Sequence, residues 1–247
     1  MIVGADVNAI VTEAMIRTAE AETGESIQFW GRYFKGPGNT DPAQYQPARE
    51  AALLNEQNIR VLPIGRQTNH VDGGEALGRD DGATNASAIV AAFGTSVLTA
   101  LPHGLLVFLD VEGPPHQSLS TAYYTGWSRA LVQTAHTDGV TLLPGVYGAR
   151  GDSPTWRRLT AAVTSGAACA GTWIARPGTI GCHALRPFDE SYVRPPRLPS
   201  AIKVLIWQCV QECHNLDFNL LNPEFETDTL DRLVLPVQPL ETSRVVA

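Results

Sequence analysis

The stretch that decides the fold is Leu105-Leu106-Val107-Phe108-Leu109-Asp110-Val111-Glu112. Its unbroken apolar run is typical of a strand buried on both faces, as in a parallel sheet covered by helices. Two carboxylates follow at once, and residues i and i+2 of a strand point to the same side. The stretch therefore predicts a buried strand whose carboxyl end presents Asp110 and Glu112 together.

Strand-like and helix-like segments alternate on both sides of this strand. Further strands are predicted at 2–8, 27–34, 59–64, 140–147, 171–175, 202–208 and 216–219. Helices are predicted at 11–21, 41–55, 83–100, 118–135 and 153–164. Asp41-Pro42 reads as the N-cap and first position of the second helix. A polar, glycine-containing loop is expected at 68–82, and no clear helix at 176–200.

This order predicts an α/β fold, an irregular (β/α) TIM-like barrel. About five βα units are followed by about three strands with few helices between them. An open doubly wound sheet is the alternative. The 247 residues suit one barrel, so we predict a single domain over 1–235 and a C-terminal tail over 236–247.

The chain is acidic, with 18 Lys and Arg against 25 Asp and Glu and a formal charge of −7. Without a basic run it is a poor candidate for binding nucleic acid or an anionic membrane surface. No apolar run approaches the roughly 18 residues that span a bilayer, and the N-terminus has no signal-peptide pattern. We expect a monomer, cytoplasmic by default or exported by a non-classical or phage-type route.

Several motifs that would indicate other chemistry are missing from the sequence. There is no GxGxxG turn after the first strand, no GxxxxGK[ST], no GxSxG elbow and no HExxH. No cofactor and no bound metal are therefore expected. The four cysteines are too few for a disulfide framework. Cys182-His183 and Cys209-x₃-Cys213-His214 make a weak zinc pattern; free thiols are expected first, then a Cys209–Cys213 or Cys182–Cys213 disulfide.

The predicted strand ends carry polar or aromatic residues that suit a carbohydrate site, because the carboxyl ends of barrel strands form the active-site face. Carboxylates supply the chemistry, aromatic rings stack on sugars, and amides or guanidinium groups bind hydroxyls. The candidate catalytic residues are Glu112, Asp110, Asp6 and Asp217. The candidate substrate-binding residues are Arg32, Tyr33, Arg66, Gln67, Tyr147, Trp173, Trp207 and Gln208.

Asp110 and Glu112 are the strongest candidates. Two carboxylates held together in a buried place repel each other, and burial disfavours their charged forms. One pKa should rise, which sets a proton donor beside an ionised partner, as in glycoside hydrolysis. The alternative without a function is that the two acids lie on a loop exposed to solvent. A metal-dependent hydrolase using Asp6, Asp110, Glu112 and a histidine is another.

At these residues the sequence resembles the family 25 lysozymes, and more closely their glycoside-hydrolase-like relatives grouped as domain of unknown function 1906. The matching pieces span about 3–220 and are Gly4-Ala5-Asp6-Val7, Gly31-Arg32-Tyr33, Leu62-Pro63-Ile64, Val107 to Glu112, Tyr123-Tyr124-x₂-Trp127, Pro144 to Gly148, Ile206-Trp207-Gln208 and Asp217-Phe218-Asn219. Two features depart from family 25: the start lacks an aromatic-Gln stretch, and Cys209 follows Trp207-Gln208 where a Tyr is usual.

The resemblance implies an irregular barrel that cleaves the β-1,4 bond of peptidoglycan between N-acetylmuramic acid and N-acetylglucosamine. It implies that Glu112 is the general acid and that Asp110 orients the substrate's acetamido group. Asp6 and Asp217 would then be supporting acids and Tyr147 a wall of the sugar site. A non-catalytic barrel that binds carbohydrate or cell wall is the alternative function.

Overall fold

In the computed structural model, which describes residues 1–66, 69–112, 117–178 and 180–237, eight strands close into one barrel. The strands are β1 (Val3–Asp6), β2 (Ile27–Tyr33), β3 (Arg60–Arg66), β4 (Leu105–Asp110), β5 (Leu142–Ala149), β6 (Gly171–Ala175), β7 (Val204–Cys213) and β8 (Leu216–Leu221). The helices are α1 (Glu13–Thr23), α2 (Pro47–Glu56), α3 (Glu75–Phe93), α4 (Thr95–Thr99), α5 (Thr121–His136), α6 (Ser153–Thr164), α7 (Glu190–Val193) and α8 (Glu226–Leu230).

The barrel is closed by its last strand, which runs against its neighbours. Strands β1 to β7 pair in parallel in chain order. Strand β8 is antiparallel to both β7 and β1. The mixed α/β class and the closed barrel are thus confirmed, and the open doubly wound sheet is wrong. The regular alternation of a (β/α)₈ barrel does not hold, since β8 follows β7 by a hairpin.

The barrel wall separates two apolar cores. On β4, Leu105, Val107 and Leu109 pack outward against the helices, whereas Leu106 and Phe108 fill the barrel interior. Because side chains alternate along a strand, Asp110 continues the inward series of Leu106 and Phe108. The apolar run therefore places a carboxylate inside the barrel at its open end.

Helix α2 starts later than the sequence indicated. Asp41 and Pro42 do not cap it; the helix begins at Pro47. Asp41 Oδ1 instead accepts a hydrogen bond from the backbone N–H of Ala43 at 2.9 Å. The backbone N–H of Tyr45 donates to the carbonyl of Tyr33 at 2.9 Å. These bonds hold 41–45 as a turn at 42–43 followed by a bridge from Gln44 to the end of β2, which explains why an Asp-Pro pair fails to start a helix here.

Helix α3 starts earlier than predicted, at Glu75, inside the expected loop. The glycines that suggested a loop serve a helix contact. A Cβ on Gly78 or Gly82 would lie 2.1 or 2.3 Å from backbone oxygens of α5, and one on Gly126 of α5 would lie 2.1 Å from the carbonyl oxygen of Glu75. Only glycine allows α3 and α5 to approach so closely.

Candidate active site

Four acids gather at the end of the barrel where the parallel strands terminate. Asp6 and Asp110 end β1 and β4, Glu112 follows β4, and Asp217 lies on β8. Asp6 and Asp217 face each other as register partners of the β1–β8 pair. The structure thus brings together all four predicted acids from three separate parts of the chain, in a place that we call the acid mouth.

Asp110 is buried, with 4 % of its surface exposed. Burial raises the pKa of its carboxyl to about 8, and the nearby charge of Glu112 adds to the rise. The backbone N–H of Glu112 donates to Asp110 Oδ1 at 2.9 Å, and this bond and the Arg66 charge oppose the rise. Asp110 is therefore predominantly protonated at neutral pH.

Glu112 is an exposed residue whose carboxylate reaches back to the buried Tyr147 hydroxyl, 2.6 Å away. Desolvation of this carboxylate raises its pKa, and the charge of Asp217 adds to the effect. The hydrogen bond with Tyr147 opposes the rise. The group is thus both reachable from solvent and biased towards its protonated form, as a proton donor needs to be.

Hydrogen-bond counting places one additional proton on the chain Glu112–Tyr147–Gln208–Asp217. The single Tyr147 hydroxyl proton faces Glu112 Oε2 and the Gln208 amide oxygen, 2.6 and 2.7 Å from the hydroxyl oxygen. The Gln208 amide nitrogen donates to Asp217 Oδ2 at 2.7 Å. The tyrosine proton can serve only one of these two acceptors at a time; when it goes to Gln208, Glu112 must carry a proton to complete its own bond.

Turning the Gln208 amide round does not remove the extra proton. The amide nitrogen would then donate to Tyr147 and Tyr147 to Glu112, leaving the amide oxygen facing Asp217. Asp217 would have to be protonated instead. Burial raises the pKa of Asp217 as well, and the charge of Glu212 adds to the rise. Both arrangements leave one end of the chain, Glu112 or Asp217, holding a proton.

Asp6 is held by a second chain of hydrogen bonds. Trp173 Nε1 donates to Asn219 Oδ1 at 3.0 Å, and Asn219 Nδ2 donates to Asp6 Oδ2 at 2.7 Å. Burial raises the pKa of Asp6, the charge of Asp217 adds to the rise, and the Asn219 bond opposes it. Asn219 was not among the predicted site residues, although its position two residues after Asp217 on one strand could have indicated it.

A recess of about 270 Å³ opens beside Asp6 and Asp217. Its other lining residues come from the start of the β1–α1 segment, from Tyr33 and from the β7–β8 hairpin: Val7, Asn8, Gln211, Glu212 and Asn215. The Arg66 guanidinium lies 4.9 Å from the centre of the Tyr33 ring. The recess thus offers carboxyl and amide groups, with a cation held over the ring at its edge.

Five of the predicted substrate-binding residues lie at the acid mouth or directly beneath it. Tyr33 and Arg66 border it, and Tyr147 and Gln208 join its acids. Trp173 is fully buried with its ring centroid 4.4 Å from that of Tyr147, so it supports the floor. Gln67 lies outside the residues that the structure describes.

Arg32 and Trp207 are placed elsewhere. Arg32 is fully buried and its guanidinium is used by Glu50 and by backbone carbonyls, at 2.7 Å in the shortest bond. Trp207 points away from the barrel interior, where Nε1 donates to the Arg176 carbonyl at 3.0 Å and the ring packs on Tyr192. A polar or aromatic residue at a strand end does not reveal which face of the sheet it occupies, and one residue of register decides it.

The possible metal ligands and the cysteines also differ from expectation. Among the described residues, donor atoms within 4.8 Å of one another are grouped at Glu22, Cys182, Cys213 and His214, not at the acid mouth. Cys182 and Cys213 form a disulfide rather than free thiols, the second of the two pairings considered. Cys169 and Cys209 are free thiols, as expected.

Comparison with known proteins bears on the fold alone. No protein-family model and no curated protein matches the chain. A crystal structure of an uncharacterized B. stearothermophilus protein matches with a TM-score of 0.68 and 19% identity, over 94% of this chain and 100% of that one. The Mycobacterium tuberculosis Tat-secreted protein Rv2525c, solved in complex with HEPES, matches with a TM-score of 0.52 and 14% identity, over 89% and 95%.

Proposed function

We propose that this protein is a glycoside hydrolase of the muramidase type, which cleaves the β-1,4 bond between N-acetylmuramic acid and N-acetylglucosamine in peptidoglycan. The observation that carries the proposal is the hydrogen-bonded chain Glu112–Tyr147–Gln208–Asp217, in which one hydroxyl proton faces two acceptors. An acid that is exposed, desolvated at its carboxyl group and obliged to share a proton has the properties of a general acid.

In the proposed reaction Glu112 gives its proton to the oxygen of the leaving sugar. The substrate's own acetamido oxygen attacks the anomeric carbon, oriented by Asp110, and water then opens the cyclic intermediate. Glu112 takes a proton from that water and returns to its starting state. When Glu112 gives up its proton, the Tyr147 hydroxyl 2.6 Å away can donate to the new carboxylate and stabilise its charge.

Three further observations support this proposal. The closed barrel with its acids at the carboxyl ends of the parallel strands is the architecture expected of a TIM-like glycoside hydrolase. Buried aromatic rings, Tyr147 on Trp173, lie beneath the acids and suit the floor of a sugar site. The sequence resemblance to family 25 lysozymes falls on the four acids and on Tyr147.

A substrate in the cell wall fits a protein that works in an oxidising compartment. Structural disulfides are rare in reduced cytosol, and Cys182 and Cys213 are paired. The similar Tat-secreted protein of M. tuberculosis is, by its name, exported. We therefore propose export in place of the cytoplasmic default. No helix in the described residues is long and apolar enough to cross a membrane.

One observation favours a second function, a carbohydrate-binding barrel without turnover. With a pKa of about 8, Asp110 is neutral at pH 7. If Glu112 is protonated too, the pair lacks the ionised partner that glycoside hydrolysis requires. Two neutral carboxyl groups can still donate hydrogen bonds to sugar hydroxyls or an acetamido group. Binding of glycan fragments with no cleavage would be the result.

The test is the release of soluble muropeptides from purified peptidoglycan, followed by borohydride reduction and mass spectrometry. Wild type is expected to release fragments with new muramic-acid reducing ends, and Glu112→Gln is expected to lose about 10³-fold or more of this activity. Glu25→Gln, an exposed acid away from the mouth, is the matched control and should retain wild-type activity.

The outcomes separate the two functions. Absence of release from several wall types, together with sedimentation of the protein on insoluble peptidoglycan, would establish the binding barrel. Absence of both release and sedimentation would overturn both proposals. Release by Glu112→Gln at the wild-type rate would remove Glu112 from the role of general acid.

A further inference from the structure

We infer that the Cys182–Cys213 disulfide is one state of a redox-controlled zinc site, whose ligands in the reduced protein are Cys182, Cys213, His214 and Glu22. In the structure, one donor atom from each of these residues lies within 4.8 Å of all the others. The four residues come from the C-terminal end of α1, the segment after β6 and the β7–β8 turn. They form a group separate from the acid mouth.

The chemistry of the four donors fits zinc. Two thiolates, an imidazole and a carboxylate are all ligand types that Zn²⁺ takes in tetrahedral sites. Bonds of about 2.0 to 2.3 Å to a tetrahedral metal place the ligand atoms about 3.3 to 3.8 Å apart. The donors here already lie within 4.8 Å of each other. Small side-chain movements therefore suffice once the two sulfurs separate.

The imidazole is held close to the carboxylate in advance. His214 Nε2 and Glu22 Oε1 are 3.0 Å apart, although the two residues lie 192 positions apart in the sequence. Each is partly exposed, with 57% of the His214 and 35% of the Glu22 side chain accessible. A metal ion entering from solvent can therefore reach both groups. It would replace the hydrogen bond between them by two metal bonds.

Backbone contacts keep the two sulfur positions adjacent without the disulfide. Ile180 and Gln211 form a parallel bridge, and the backbone N–H of Gly181 donates to the Gln211 carbonyl at 2.7 Å. The backbone N–H of Glu212 donates to Asp217 Oδ1 at 2.7 Å and fixes the start of the turn. Because these bonds do not involve sulfur, reduction leaves Cys182 beside Cys213, and the thiols remain placed to bind one ion.

A dithiol reductant supplies two electrons and two protons, the Sγ–Sγ bond of Cys182 and Cys213 breaks, and the reductant becomes a cyclic disulfide. Zn²⁺ then displaces the two thiol protons to solvent and binds both thiolates. In the reverse direction hydrogen peroxide and two protons oxidise the thiolates to the disulfide, two water molecules form, and Zn²⁺ is released.

The experiment measures zinc binding by the whole chain in both redox states. The protein is reduced with dithiothreitol, desalted without oxygen and titrated with Zn²⁺ against a chromophoric chelator. Ellman's reagent in denaturant confirms that all four cysteines are reduced. We expect one zinc ion per reduced chain and none per oxidised chain. With Co²⁺ in place of Zn²⁺, we expect the visible bands of a tetrahedral centre and sulfur-to-cobalt charge transfer.

Variants identify the ligands. His214→Ala and Glu22→Gln change partly exposed side chains, and circular dichroism verifies that they fold. Each should weaken zinc binding by at least about 10-fold, the lower limit for loss of an outer-shell partner. The double variant Cys169→Ser/Cys209→Ser removes the other two thiols and should bind zinc as wild type does.

Two results would overturn the zinc site. The first is a fully reduced, folded chain that retains no zinc. The second is a wild-type affinity in both His214→Ala and Glu22→Gln, which would mean that the thiols bind zinc without this group. Neither readout depends on cleavage of any glycan, so the fate of the zinc site and that of the proposed hydrolase are decided separately.

Discussion

Two groups of charge-bearing side chains lie near the carboxyl ends of the parallel strands, and they are balanced in opposite ways. In the first, Arg32 donates to both carboxylate oxygens of Glu50, at 2.7 and 3.2 Å, and to backbone carbonyls. Glu50 also accepts from the backbone N–H groups of Val11 and Gln46. Every charge in this buried ion pair has a partner of opposite sign and a full set of hydrogen bonds.

The acid mouth is the other group, and its charges are not compensated. Asp6, Asp110, Glu112 and Asp217 all have raised pKa values, with burial as the first cause and neighbouring acids adding to it. A protein gains no stability from crowding acids in this way. A buried charge with a full set of partners therefore indicates a structural role, whereas a cluster of like charges without partners indicates a site that binds a ligand or carries out chemistry.

The largest expected effect comes from breaking the balanced group. Glu50→Gln leaves the Arg32 guanidinium buried without its counter-charge, so the free energy of unfolding should fall by about 3–5 kcal/mol. Urea denaturation followed by circular dichroism measures this loss. Glu56→Gln, at the exposed end of the same helix, should change it by no more than about 0.5 kcal/mol. Equal losses in the two variants would contradict the assigned role of the pair.

Neutralising an acid of the mouth should instead raise the free energy of unfolding. Folded Asp110 keeps its proton up to about pH 8, whereas unfolded Asp110 loses it near the ordinary value of 3.8. Its contribution to stability is therefore full below pH 4 and is lost as the pH rises towards 8. Asp110→Asn removes this loss. At pH 8 it should stabilise the protein by at least about 2 kcal/mol, since each unit of pKa shift is worth about 1.4 kcal/mol.

Urea midpoints of wild type and Asp110→Asn at pH 4.5, 6 and 8 test this. The gap between the two proteins should widen as the pH rises. The exposed variant Asp138→Asn is the matched control and should show no widening gap. A gap that narrows with pH would mean that folding lowers the pKa of Asp110. Muropeptide release should fall in Asp110→Asn even though the protein is more stable.

A smaller effect is expected from cutting the chain that shares the proton. Tyr147→Phe removes the hydroxyl between Glu112 and Gln208 and should lower kcat/KM for glycan cleavage about 10-fold, the equivalent of about 1.4 kcal/mol. The control is Tyr124→Phe, which loses a buried hydroxyl bonded to the Ala168 carbonyl far from the acids. It should cost stability and leave kcat/KM unchanged. Equal activity in both variants would contradict the sharing of a proton through Tyr147.

The smallest effect on stability is expected at an ion pair on the protein surface. Arg129 and Glu75 form an ion pair 2.8 Å long between α5 and α3, with about half of each side chain exposed. In water such a pair contributes about 0.2–1 kcal/mol. Glu75→Gln should therefore lower the urea midpoint only slightly, and the difference from wild type should vanish in 1 M salt. A loss as large as that of Glu50→Gln would show that burial is not what separates the two pairs.

The parts of the mouth that could be predicted from the sequence are those that one strand determines. The apolar run before Asp110 predicts a buried strand that ends at this residue. Because residues i and i+2 of a strand point to the same side, Glu112 is expected beside Asp110. Asp6 and Asp217 follow from barrel closure, which sets the first strand beside the last. In each case a local pattern and one topological rule are sufficient.

The parts that failed depend on partners from other segments. Arg32 looked like a substrate-binding residue because nothing in the sequence reveals that Glu50 of α2 meets it behind the wall. Trp207 and Gln208 are neighbours on one strand and therefore point to opposite faces of the sheet. Only Gln208 points into the barrel, and the sequence did not show which of the two would. The glycines of α3 indicated a loop because close contact with α5 is invisible from one segment.

Barrel closure also has a kinetic consequence. Asn219 and Asp6, which are hydrogen-bonded in the finished protein, lie 213 positions apart. At about 5–20 residues per second, a ribosome needs about 10 to 40 s to cover that interval. Throughout that time β1 has one unpaired edge, the kind of edge at which chains aggregate. Asp217 meets Asp6 only when β8 fills that edge, so the repulsion between these two acids arises only once the barrel closes.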